Sequence, residues 1–198
     1  MNYATLIALL PSYIGRPNDT NISTNAPTFV ALFEAKANRS LRLNDMLERT
    51  SGTIATEYLT APTDMLAIRS FTVDGDAISY LSPEQVDQGV TADSSTGTPL
   101  YYTIIGSEIR LFPAPSASVA YALTYYQRIP SLQTNSTNWL GDNHPDLYLY
   151  GTALEAALFM SDSEETEKFA GLLKALVEDL ARSDTQPHNI TPIPDYAI

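Results

Sequence analysis

The hydrophobic period of this chain changes twice, and few folds accept that pattern. Over residues 3–42 apolar side chains recur at steps of three and four, the stripe of an amphipathic helix. From about 44 to 127 they alternate, or sit in short Thr- and Tyr-containing runs bounded by turn residues, as strands do. The helical step returns at 145. Helix stripes and sheet faces each need a partner layer, so the expected class is α+β. The plan is an N-terminal helix pair and a C-terminal helical hairpin packed with a central antiparallel β-sheet.

The first helix is placed at about 3–15, where Tyr3, Leu6, Ile7, Leu10 and Ile14 share a stripe and Pro11 kinks or ends it. A polar loop over 16–25 leads to Asn25-Ala26-Pro27, a capping residue and an early proline, so the second helix is placed at about 27–42. Its inward residues are Phe29, Leu32, Phe33, Ala37 and Leu41, with Arg39 and Arg42 near its end to complement the dipole. Residues 44–60 read as two short strands turning at Ser51-Gly52. Residues 66–73 and 77–81 flank Asp74-Gly75, a primed-turn hairpin signal.

Ser82-Pro83-Glu84-Gln85 reads as an N-cap opening one helical turn to Gln88, and 91–98 as a loop. Strands at 100–105 and 108–112 pair across Gly106-Ser107, and 121–127 returns after Pro113-Ala114-Pro115. Asn143-His144-Pro145-Asp146 caps a helix at about 145–161, with Leu147, Tyr150, Leu154, Ala157 and Leu158 inside. Ser161 with Glu164 forms a capping box for the next, at about 163–183. Phe169, Leu172, Leu173, Leu176, Val177 and Leu180 give that helix the cleanest stripe in the chain. Residues 1–184 are read as one domain and 185–198 as an extended C-terminal arm.

Charge narrows the function. The formal net charge is −12, from 23 acidic and 11 basic residues, with no Lys/Arg-rich stretch, which excludes tight binding to phosphate backbones. The absence of cysteine removes disulfides, thiolate metal sites and cysteine nucleophiles together. The N-terminus lacks a basic region before its apolar run, so no signal peptide is expected. No window reaches the roughly 20 apolar residues of a membrane span, so no membrane association is expected.

Catalytic and metal motifs are missing. His144 sits at a helix start, where capping explains it, and His188 lies in the proline-rich tail; no metal-ligand spacing joins them. The nine glycines are scattered at turns and form neither a dinucleotide fingerprint nor a P-loop. Asp162, Glu164, Glu165 and Glu167 form a charge run at a helix N-terminus, which complements the dipole, and Asp74 and Asp76 are turn formers. The expectation is a non-enzymatic structural protein with no cofactor, no metal and no catalytic residue.

The order of elements resembles the head–tail adaptor (connector) proteins of tailed bacteriophages and related gene transfer agents. The likeness is carried by Phe29-Val30-Ala31-Leu32-Phe33-Glu34-Ala35 with Asn38-Arg39-Ser40-Leu41-Arg42, then Ala61-Pro62-Thr63-Asp64-Met65-Leu66 and Ser82-Pro83-Glu84-Gln85. Leu111-Phe112-Pro113-Ala114-Pro115, Tyr125-Tyr126, Ile129-Pro130, Thr137-Asn138-Trp139-Leu140 and Pro145-Asp146-Leu147-Tyr148-Leu149-Tyr150-Gly151 follow. It covers roughly 3–182, and Ala61 departs from it by standing where leucine is expected.

The resemblance implies a virion protein, assembled in the host cytoplasm, that forms a homo-oligomeric ring, usually dodecameric, beneath the portal. Such a ring extends the DNA channel and docks the next tail or nozzle protein, while duplex DNA passes through the lumen without tight binding. The arm, with Pro187, Ile190, Pro192, Ile193, Pro194, Tyr196 and Ile198, is the segment expected to dock on the portal. The alternatives are a later tail component (tail-tube or nozzle subunit) and a small carboxylate-dependent hydrolase.

Overall fold

The structure, a computed structural model, describes residues 1–88 and 96–185. Along the chain run α1 (Tyr3–Tyr13), α2 (Thr20–Ser40), a 3-10 turn (Asn44–Met46), β1 (Leu47–Ile54), β2 (Tyr58–Thr60), β3 (Met65–Val73), β4 (Asp76–Ala77) and β5 (Ser79–Tyr80). Then come α3 (Pro83–Gln88), β6 (Tyr101–Ile105), β7 (Glu108–Phe112), β8 (Val119–Gln127), α4 (Leu132–Asn135), α5 (Trp139–Asn143), α6 (Pro145–Met160) and α7 (Ser163–Thr185). The class is α+β. Internal contacts divide the chain into two compact units, Met1–Asp45 with Ile129–Ile198, and Met46–Arg128.

The first unit is helical. Asn2 caps α1 by accepting from the Thr5 amide at 2.8 Å, and Gly15, at φ 72°, turns the chain out of it. Pro11 lies inside α1, which ends soon after it at Tyr13, short of the expected 15. The largest departure from expectation is α2, which starts at Thr20 rather than 27. Asp19 is its cap, accepting from the Asn21 amide at 2.9 Å, and Pro27 lies inside the helix. A proline in a helix interior costs about 3 kcal/mol. Ile22 and Ala26 are fully buried on the same face as Phe29, and that burial outweighs the lost bond.

Helix α6 is lined with alanines where it meets its neighbours, and Ala153, Ala156 and Ala157 form one core with Leu10, Ile22, Ala26, Phe29 and Phe169. Small residues let helices approach closely. The closest approach is at Gly151, where a Cβ would overlap the Phe33 ring. The cap between α6 and α7 is one residue later than expected. Ser161 takes the left-handed conformation that ends α6, and the Asp162 carboxylate accepts from the Glu165 amide at 3.3 Å.

The second unit is a pair of four-stranded sheets, ordered β1-β8-β3-β4 and β2-β7-β6-β5. A single antiparallel sheet was expected. The chain instead leaves the first sheet after the Asp74-Gly75 turn: β4 is only two residues long, and β5 pairs in parallel with β6 in the second. Ile78, between them, is buried in the core that Phe71, Val73, Leu123 and Tyr125 of one sheet share with Tyr102, Ile109 and Leu111 of the other. Both predicted hairpin turns hold their positive φ: Asp74 at 51° and Gly75 at 91°, and Gly106 at 62°.

Ser51-Gly52 is not a turn. Strand β1 runs straight through it, pairing with β8 over eight consecutive residues. Gly52 is there because the Tyr121 ring lies over it; a Cβ would stand 3.1 Å from the Tyr121 Cε1. Absence of a side chain, rather than backbone freedom, is what this position uses.

Thr185, the first residue of the expected arm, is the last of α7; residues 186–198, and 89–95 with the first part of the expected loop, lie outside the described residues.

Two helical glycines give opposite expectations. Gly151→Ala drives a methyl into Phe33 and is expected to destabilise the chain by about 1–3 kcal/mol. Gly171 on α7 has nothing near its missing Cβ, so Gly171→Ala is expected to be neutral or stabilising by up to about 1 kcal/mol. Urea unfolding of both variants checks the contrast.

Candidate assembly surfaces and the junction that holds them

The distinctive polar residues of the helical unit converge on one buried junction. Glu34 and Asn38 lie one turn apart on the inner face of α2, and both are buried. The Glu34 Oε1 accepts from the Leu132 amide at 2.8 Å and from the Tyr148 hydroxyl at 3.1 Å. The Asn38 Oδ1 accepts from the Ile129 amide at 2.8 Å. Asn138, the N-cap of α5, accepts from the Gly141 amide at 2.8 Å and donates to the Tyr148 hydroxyl at 2.7 Å and the Pro130 carbonyl at 2.5 Å. The segment 129–141 that leads into α6 is thus fastened at four backbone groups by three side chains.

Tyr148 is fully buried, edge-on to Phe33 at 5.2 Å. Burial pushes its hydroxyl well above the ordinary tyrosine range; the Asn138 hydrogen bond opposes this and the Glu34 charge adds to it. Beside the junction, Lys36 pairs with the buried Glu155 at 2.5 Å. Periodicity alone gave no sign of this junction. An acid and an amide at i and i+4 among Val30, Phe33 and Ala37 was the signal available.

The sheet unit has its own clasp. The Asp64 carboxylate accepts from Gln127 Nε2 at 2.7 Å and the Tyr125 hydroxyl at 3.2 Å, and its carbonyl from the Arg128 amide at 2.7 Å. Burial first, then the Asp64 charge, push the Tyr125 hydroxyl up to about 12. Arg110 pairs with Glu57 while its guanidinium lies 4.4 Å from the Phe112 ring centroid. Ser82, read as an N-cap, forms a reciprocal capping box with Gln85, at 3.0 and 3.3 Å.

Four of the residues weighed for chemistry, His144, Asp162, Glu165 and Asp74, have structural work. His144 occupies the N-cap of α6 but its side chain makes no capping bond, so its backbone carbonyl alone serves the helix start. Asp162 caps α7 and meets Arg16 at 3.5 Å, and Glu165 pairs with Lys168. The Asp74 carboxylate accepts from the Ala120 amide. Among the described residues no group of three His, Cys, Asp or Glu could hold a metal ion. A cleft of about 370 Å³ is lined by Asn2, Tyr3, Leu132, Gln133 and Thr137 with three other small residues, and no carboxylate or imidazole borders it. His188 and the seven arm residues, Pro187, Ile190, Pro192, Ile193, Pro194, Tyr196 and Ile198, lie outside the described residues.

Apolar residues face outward on several elements instead. Leu32 and Leu172, both expected inside, are 46% and 39% exposed, and Leu158 is exposed as well. Of the α7 stripe only Phe169 is fully buried; Leu173, Leu176, Val177 and Leu180 are half-buried. On the sheet unit Tyr58, Tyr80, Leu100 and Ile105 are exposed. Strand β1 is an edge, bulge-free and without proline over all eight residues. No helix among the described residues is long and apolar enough to cross a membrane.

The conspicuous polar residues of this α+β framework thus clasp one element to another, and apolar side chains are turned outward. The chain is a member of the SU10 adaptor protein family, whose model matches residues 1–192. This is a family of phage head–tail adaptors, so the chain has an adaptor-type structural role in the virion. No curated protein matches it.

Asn138→Ala takes from the Gly141 amide and the Pro130 carbonyl their side-chain partner and leaves the Tyr148 hydroxyl only its bond to Glu34, and is expected to cost about 2–4 kcal/mol. Tyr148→Phe, which leaves Glu34 its bond from Leu132, is expected to cost about 1 kcal/mol. Chemical denaturation ranks the two. Tyr125 and Tyr148 hold their protons in the folded chain above the ordinary value of 10.0. Their contribution is complete below about pH 10 and is lost as pH rises toward 12, because the unfolded chain ionises first. Stability measured from pH 9 to 12 should fall in that window, and fall less for Tyr125→Phe.

Proposed function

We propose that this chain is the repeating subunit of a ring, usually dodecameric in this type of adaptor, beneath the portal of a tailed phage or gene transfer agent. The ring extends the DNA channel and docks the next tail or nozzle protein, with residues 1–184 working as one adaptor domain. The observation that carries this reading is the family match over 1–192, nearly the whole chain. Its support in the molecule is local. Glu34, Asn38, Asp64, Asn138, Tyr148 and Gly151, which all lie in the stretches that carry the likeness, are the residues that clasp the framework.

A ring subunit meets its two neighbours through two different surfaces, so outward apolar residues on more than one element suit it. The net charge of −12 suits passage of a duplex, since carboxylates repel phosphates and leave DNA free to slide. The arm at 185–198 is assigned to the portal. Its prolines bar a helix, and Ile190, Ile193, Tyr196 and Ile198 are the apolar side chains that a partner would bury.

Native mass spectrometry of the chain mixed with its portal is expected to show a closed multi-copy complex; failure to form any complex overturns the adaptor ring. Removing residues 186–198 is expected to weaken that complex at least tenfold while leaving the circular dichroism spectrum unchanged. Unaltered binding would remove the arm's role and leave the ring standing.

A further inference from the structure

We infer that the outer face of the first sheet meets the phosphate backbone of duplex DNA, at a row formed by Arg49, Thr124, Ser70 and Arg69. This rests on the ring reading and names the residues that turn toward the passing duplex. Ile54 of β1, Leu123 and Tyr125 of β8, and Phe71 and Val73 of β3 lie in the core, so the alternate positions on these strands face outward. Thr124 is the register partner of Arg49 on one side and of Ser70 on the other, which sets the three side chains in one row on that face.

A bulge adds the second arginine. Between Ile68, opposite Tyr125, and Ser70, opposite Thr124, β3 carries one residue more than β8. Ile68 packs on the core and Phe71 lies in it, so Arg69 and Ser70, between them, both face outward. Arg49, Arg69 and Ser70 are exposed, and Thr124 is half-buried. Adjacent strands lie about 4.8 Å apart, so Arg49 and Ser70 stand about 10 Å apart across β8. Two guanidinium groups thus flank two hydroxyls, and Arg, Ser and Thr are side chains that donate to phosphate oxygens.

Charge and bulk choose the occupant. Glu48 and Asp76 are the carboxylates of the four strands, and they stand opposite Tyr125 and Val73, on the core side. Beside the strands, Asp64 is bound to Tyr125 and Gln127, and Asp74 to the Ala120 amide. The outer face of these strands therefore holds both arginines and no acid, and neither arginine enters an ion pair among the described residues. From the row to the Asp74-Gly75 turn its other positions are Ser, Thr and Ala, with no large apolar side chain to anchor a protein partner. Leu47, Leu66 and Tyr126 lie on the other side of the row and are half-buried. A phosphate backbone needs no such anchor. Contact with two phosphates per copy weakens about tenfold between 50 and 200 mM salt. With carboxylates elsewhere repelling the duplex, the face guides it without gripping it.

The chain has no cysteine, so one added cysteine gives one point of attachment. The full chain carrying Ser51→Cys, exposed on this face beside Arg49, is labelled with a tethered iron–EDTA reagent, which cleaves DNA and protein backbones near it. It is assembled with its portal and given an end-labelled linear duplex at low salt. Cleavage of the duplex is expected to be stronger from Ser51→Cys than from Gly171→Cys on α7. It is expected to fall about tenfold on going from 50 to 200 mM salt. Adding Arg49→Ala and Arg69→Ala is expected to reduce it, while Arg49→Lys and Arg69→Lys retain it. No cleavage of the duplex, or equal cleavage from the two sites, overturns this face. Cleavage of the portal or of a second copy in place of the duplex also overturns it and gives the face to a protein partner. Native mass spectrometry of the unaltered chain separates the two levels: a complex with the portal but no cleaved duplex sinks this face alone, whereas no complex sinks the ring itself.

Discussion

Asn138 meets three polar groups with one side chain, and the geometry of the helical unit follows from that. Its amide reaches the Pro130 carbonyl and the Tyr148 hydroxyl while its oxygen caps α5. Glu34 and Asn38 then fix the Leu132 and Ile129 amides from the other side. A buried polar group without a partner costs about 1–3 kcal/mol, so every alternative path for residues 129–141 is penalised several times over. Apolar packing would accept many registers between α2 and α6. The hydrogen bonds accept one, and Gly151 lets Phe33 close onto it.

The same economy holds in the sheet unit, where Asp64 ties the opening of β3 to the end of β8. In both units several of the residues that carry the family likeness serve as clasps. A protein whose task is to hold a position in an assembly needs rigid elements and free surfaces more than a reactive centre. Outward leucines and an unbroken edge strand are features left over once the clasps are counted.

Much of the local structure was legible. The change of period separated helices from strands, and turns with Asp74-Gly75 and Gly106 appeared where positive φ was demanded. The Ser82 cap was legible because the amide it serves lies within one turn, while the return bond from Gln85 came with the structure. Misreadings came where tertiary burial outweighed a local signal. Asn25-Ala26-Pro27 has the chemistry of a helix start, yet Ile22 and Ala26 are core residues and the helix begins at Thr20 instead. Ser51-Gly52 has the chemistry of a turn, yet the glycine serves the ring of Tyr121. Leu32 and Leu172 fit their stripes, but a stripe gives a face and not how far the neighbouring helix covers it.

What the sequence determined by itself was the list of elements, their caps and turns, the α+β class and the shortage of catalytic motifs, since each depends on residues a few positions apart. What only the tertiary structure decided was the partition into two sheets, the buried junction at Glu34, Asn38, Asn138 and Tyr148, and which apolar faces remain open. Those depend on groups about a hundred residues apart in sequence, joined at hydrogen-bond distance. Hydrophobic period specifies that a face is to be buried; it carries no address for the partner, and the address is written in a few polar side chains whose bonds exist only once the chain has closed.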